Sequence, residues 1–103
     1  MASETETKVL CKTPTKGKQG TRIPKWKYDA IRKAIRKVVP ANKTGIAFKD
    51  LSPLVAKALS KSERDELGSI TWHTVTVKLH LEVIGEIERI AGESPQRIRR
   101  VRK

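Results

Sequence analysis

Residues 69–103 read SITWHTVTVKLHLEVIGEIERIAGESPQRIRRVRK, and the fold turns on how this stretch is divided. Val75, Val77, Leu79, Leu81 and Val83 alternate with polar residues, a period-two pattern that favours a strand, helped by Thr, Val and Trp. Against it, the run is long for a strand, Ser69 or Thr71 can cap a helix, and Gly85 is a helix stop. We read a helix over about Ile70 to Ile84, then Gly85, then a hairpin. Its strands are EIERI (86–90) and QRIRRV (96–101), joined through a turn at GESP (92–95). Wound at about 100° per residue, the helix has two apolar stripes. One holds Val77, Leu81 and Ile84; the other, nearly opposite, holds Trp72, Val75, Leu79 and Val83. A helix apolar on two sides is buried on two sides, so the second stripe awaits either the N-terminal segment or a second copy of the chain.

Upstream, Lys25 to Val39 is the strongest helical pattern. Tyr28, Ile31, Ile35 and Val38 form a stripe at three- and four-residue spacing, widened by Trp26, Ala30 and Ala34. Pro24 suits its start and Pro40 ends it. Its other face carries Arg32, Lys33, Arg36 and Lys37. Like charges four apart cost roughly 0.2–0.5 kcal/mol per pair. Two readings stand, a solvated face and a face turned to phosphate or an acidic partner.

Ala41 to Gly45 is a polar turn and Ile46 to Phe48 a short strand. Lys49 to Leu59 is a second helix with Leu51, Leu54, Val55, Ala58 and Leu59 inward. Either Pro53 lies in its first turn or Ser52 caps a later start. Residues 60–69 form a connector, where Ser62 and Asp65 resemble a capping box that allows one extra turn before Gly68. At the other end, residues 1–8 are polar, aperiodic and expected to be disordered. Lys8 to Cys11 and Thr21 to Ile23 are strand candidates around a loop with Pro14, Gly17 and Gly20. Residues 1–23 are therefore a β-hairpin or a flexible basic arm, and residues 24–103 the domain proper.

At 103 residues there is room for one core. Hydrophobic residues make up 37% and charged residues 33%, with 23 Lys and Arg against 11 Asp and Glu. The resulting formal charge of +12 predicts attraction to polyanions, nucleic acid first. No apolar run approaches the ~20 residues that span a bilayer, and no signal pattern opens the chain; a cytoplasmic setting and no membrane partner are expected. The single Cys11 has no internal disulfide partner and no adjacent base to activate it.

Catalytic patterns are missing. His73 and His80 lie seven apart, about two helical turns, with no further ligand at a metal-binding spacing. Gly17 and Gly20 do not open a helix after a strand, and no nucleophile–base set is recognisable. The expectation is a non-enzyme with no cofactor, no metal and no small-molecule substrate.

The order helix, short strand, helix, helix, hairpin from Pro24 to Val101, with Leu81 four residues before Gly85 and then Ile87 and Arg89, resembles the winged helix-turn-helix superfamily. TWHTVTVKLHLEVIGEIER followed by SPQRIRR is similar to a group of small bacterial proteins of unassigned role. The resemblance implies an α+β domain, mainly α with small antiparallel β. It would have three helices, a C-terminal hairpin wing, and Val77, Leu81 and Ile84 facing the core. Winged-helix proteins commonly bind duplex DNA, and many serve only as interaction modules; fold alone does not choose. The first reading is a nucleoid-associated protein contacting DNA backbone through Arg97, Arg99, Arg100 and Arg102. Thr71, Thr76 and Lys78 would lie at the edge of the third helix, with Arg32, Lys33, Arg36 and Lys37 as a second basic surface. The alternative is a homodimer built on Trp72, Val75 and Leu79. The second stripe stands where a recognition helix would present polar groups to base edges.

Overall fold

The computed structural model describes residues 7–13, 20–92 and 95–101. The expectations for residues 1–6, for the loop at 14–19, for turn positions 93 and 94, and for Arg102 and Lys103 lie outside these. The described residues form four helices and two small antiparallel sheets in an α+β arrangement.

An N-terminal hairpin pairs β1 (Lys8–Cys11) with β2 (Thr21–Pro24). It is part of the fold, because Cys11 and Ile23 are buried in the same cluster as the helices. Helix α1 (Lys25–Val38) starts directly from β2 without a side-chain cap. It buries Ile31, Ala34 and Ile35 as its periodicity requires. Trp26, expected to widen that stripe, instead stays 41% exposed, with the Lys27 ammonium 5.8 Å from its ring centre. Val39 is extended, as a residue before proline must be, and stops the helix.

Strand β3 (Ile46–Ala47) runs through one 3-10 turn (Phe48–Asp50) into α2 (Leu51–Ala58). Pro53 sits in the first turn of α2, where its missing N–H leaves no bond unmade. The connector then holds a helix of its own, α3 (Lys61–Leu67), so the domain has four helices where three were expected. The capping box lies two residues earlier than the sequence reading placed it. Ser60 Oγ accepts from the Glu63 N–H at 3.1 Å, and Glu63 Oε1 accepts from the Ser60 N–H at 2.9 Å. Arg64 donates to the carbonyls of Leu59 and Ala56 at 2.7 and 3.1 Å, satisfying groups left open at the end of α2.

Ile70–Val83 is helical, forming α4, and Ser69 is its cap, accepting from the Trp72 N–H at 3.1 Å. At its far end Gly85 takes φ +84°. The Glu86 N–H donates to Leu81 O and the Gly85 N–H to Glu82 O, the pair of bonds that closes a Schellman motif. Ile84, expected in the core, is carried outward by this turn and is 44% exposed. Strands β4 (Ile87–Arg89) and β5 (Arg97–Arg100) complete the chain. The second sheet has the order β3-β5-β4, with Ile98 paired to both Ile46 and Arg89. Ile87 and Ile98 point inward and join Val77 and Leu81 from α4, Leu51 and Val55 from α2, and Ile31 and Ile35 from α1 in one core.

Candidate nucleic-acid interface

The cations foreseen on α1 divide. The guanidinium of Arg32 grips Glu86 with two bonds, Nε to Oε1 at 3.0 Å and an Nη to Oε2 at 2.7 Å, and Arg36 adds a third at 3.3 Å. The hydrogen bonds and charge of Arg32 hold the Glu86 carboxyl below its ordinary range, and Glu86 in turn raises Arg32. These two arginines are therefore spent on fastening α1 to the turn after α4. Lys33 and Lys37 form no ion pair among the described residues and border a cleft of about 140 Å³ lined also by Ala30, Ala34, Ala58, Leu59 and the Glu63 carboxylate.

Lys78 is spent too. Only 1% of it is exposed, because its stem follows the inward side of α4. Its ammonium pairs with Glu82, donates to Gln96 Oε1 at 3.0 Å and lies 4.4 Å from the Phe48 ring centre. Burial lowers its pKa, while Glu82 opposes that shift. Arg89 reaches the same Glu82 carboxylate at 3.4 Å. The cluster ties the β4–β5 hairpin to α4, a structural task that leaves no charge for a ligand. Thr71 is exposed and Thr76 half-buried. The outward side of α4 thus presents Trp72, Val75, Leu79 and Val83, with Trp72 47% exposed. The described residues of the N-terminal hairpin meet α4 at His80, where the Lys12 N–H donates to His80 Nδ1 at 3.0 Å and the His80 ring meets Tyr28 edge-on. Burial first, and the charge of Lys12 second, lower the pKa of His80, against a smaller pull from Glu86.

What remains is a basic ridge on the sheet. Arg97 and Arg99 alternate with the buried Ile98 and so face outward. Arg97 donates to Thr44 O at 2.7 Å and Gly45 O at 3.2 Å, stapling the turn at 41–45 to β5. The turn is tight because Asn42 Oδ1 accepts from the Gly45 N–H at 2.8 Å and the Thr44 hydroxyl at 3.3 Å. Gly45 holds φ +56°, and a Cβ there would stand 2.0 Å from Ile98 O, so only glycine permits this approach. The staple delivers Lys43 to the arginines. One groove, of about 470 Å³, runs between Ala41, Asn42, Lys43, Glu88, Arg99, Arg100 and Val101. A second, of about 290 Å³, is lined by Lys43, Thr44, Ile90 and Arg97. Lys43 borders both.

The three arginines of the ridge are each oriented by a hydrogen bond. Arg100 donates through Nε to Val39 O at 3.0 Å, a carbonyl at the end of α1, where positive charge is favoured. Arg99 donates through Nε to Glu88 Oε2 at 2.5 Å. Glu88 is the one carboxylate lining either groove among the described residues. Guanidinium and ammonium donors held around open grooves suit phosphate or carboxylate oxygens. Arg102 falls outside the described residues. Lys43 was not foreseen; its sole sequence signal is a lysine in a turn beside a strand that pairs with β5.

Cys11 is buried, which pushes its thiol up to about 11 and leaves it unreactive. Among the described residues no group of three His, Cys, Asp or Glu side chains could hold a metal ion, and no helix is long and apolar enough to cross a membrane. No curated protein and no solved structure matches the chain. A family model does, from residue 8 to residue 98. The chain belongs to DUF6958, a family of unknown function.

Proposed function

We propose that this protein is a small winged-helix module that binds duplex DNA through its phosphate backbone, using the ridge of Lys43, Arg97, Arg99 and Arg100. The observation that carries the reading is the stapled turn. Gly45 and Arg97 hold Lys43 beside three arginines around grooves with a single carboxylate. Such crowding of like charge is unfavourable until an anion arrives, and a net charge of +12 adds attraction at longer range. The order α1, β3, α2, α3, α4, β4, β5, with β5 central in its sheet, supports treating β4–β5 as a wing. Base reading by α4 is not part of the proposal. Its outward side offers apolar groups where amide, carboxylate or guanidinium groups would be needed.

Binding to a random-sequence duplex across ionic strength tests this. Each phosphate contact contributes about −0.9 to the slope of log affinity against log salt, so four cations give about −3.6. Replacing Lys43 and Arg99 by Ala removes two of them without touching the bonds that hold the turn. The slope is expected to flatten by about 1.8. Absence of binding at low salt refutes the proposal, and an unchanged slope in the variant refutes the assignment to this ridge.

A further inference from the structure

We infer that the outward face of α4 is a self-association surface on which two copies of this chain pack antiparallel about a two-fold axis. Trp72, Thr76, Leu79 and Val83 follow one another at steps of four, three and four. All four lie on the side of α4 turned from the core, Trp72 and Val83 at 47% and 42% exposure and Thr76 and Leu79 half-buried. A 4-3-4 spacing is the seam by which one helix packs along another, each side chain entering a hole on the facing helix. The occupant that fits is therefore a helix.

The identity of that helix comes from the symmetry of the seam. Its spacing reads the same from either end. In an antiparallel pair, Trp72 of each copy meets Val83 of the other and Thr76 meets Leu79, a large group against a small one at both layers. A face complementary to itself under reversal is what an isologous dimer requires. Electrostatics select the same place. Most of this surface is basic and repels a second copy, whereas the strip from Trp72 to Val83 presents no outward charge. The two charged residues between them, Lys78 and Glu82, are turned to the other side and paired with each other. The inference does not rest on polyanion binding, and its test needs no nucleic acid.

Sedimentation equilibrium from micromolar to millimolar chain is expected to show mass rising to twice that of the monomer. Leu79→Lys is expected to hold the chain monomeric throughout, with its helical circular dichroism retained. Thr76→Arg, on the same layer, serves as the second variant should Leu79→Lys not fold. A mixture of Trp72→Cys and Val83→Cys chains is expected to form a mixed disulfide dimer on oxidation, while neither variant cross-links alone; Cys11 is buried and does not compete. A wild-type chain monomeric at millimolar concentration overturns the inference. So does a dimer that survives both charged substitutions, and so does Trp72→Cys cross-linking to itself in place of Val83→Cys.

Discussion

Thr74 is fully buried on the core side of α4, and its hydroxyl finds no hydrogen-bond partner. Valine has nearly the same shape and a similar helix propensity. Thr74→Val therefore isolates one quantity, the cost of keeping a hydroxyl out of water without compensation. That cost is about 1–3 kcal/mol. We expect Thr74→Val to stabilise the fold by about 1 kcal/mol, a rise in Tm of about 4–8 °C for a domain of this size. Urea unfolding should show a higher midpoint with an unchanged m-value, since the surface exposed on unfolding is the same. Thr74→Ser provides the converse: it keeps the hydroxyl, removes a packed methyl and should destabilise by about 1 kcal/mol. A neutral or destabilising Thr74→Val would refute the reasoning, because the hydroxyl would then have a partner in solution.

Gly45→Ala should be severe, because its Cβ would fall 2.0 Å from Ile98 O at a φ of +56°. A loss of about 2 kcal/mol or more in urea unfolding is expected, together with weaker DNA affinity than Lys43→Ala produces. The hairpin latch should depend on pH. His80 accepts the Lys12 N–H through Nδ1, and protonation there abolishes the bond. Its folded pKa is lowered by burial and Lys12, opposed by Glu86, with the Tyr28 ring packed alongside. A depressed value means the stabilisation is whole above the unfolded value of 6.5 and is lost as pH falls through the lower folded value. Amide exchange at Lys12, corrected for its intrinsic rate, should accelerate over that range, and His80→Gln should remove the dependence. Protection that persists unchanged to acid pH would refute the latch.

Local signals in the sequence found much of the architecture. Gly85 and Ser69 bracket α4 correctly although its apolar residues alternate like a strand, because a helix apolar on two faces produces that alternation. The hairpin after Gly85 is legible in the glycine stop, the turn residues at 92–95 and the family resemblance, and the inward Ile98 in period two. Misreadings arose where a contact spans many residues. Nothing near Arg32 in the chain announces Glu86, which sits in the turn after α4. Lys78 looked like an edge group because its carboxylate and its amide partner are supplied by a second element as well as its own helix. Lys43 went unnoticed because its position depends on β3 pairing with β5. The extra helix α3 was nearly visible, but two serines compete for its start. Ser60 wins because Glu63 can answer it at the third position.

The placement of β5 between β3 and β4 also governs how the domain assembles. A nascent chain that has reached residue 92 carries both flanking strands and lacks the strand that pairs with either. The helices can collapse on their own apolar faces at that stage, but every ladder of this sheet forms only once residues 97–100 are inserted. Sheet formation is then a single late step with long loops to close, from residue 46 to residue 98 in one case. A fragment cut before Arg97 would keep two orphaned strand edges, and with them a tendency to pair with other chains.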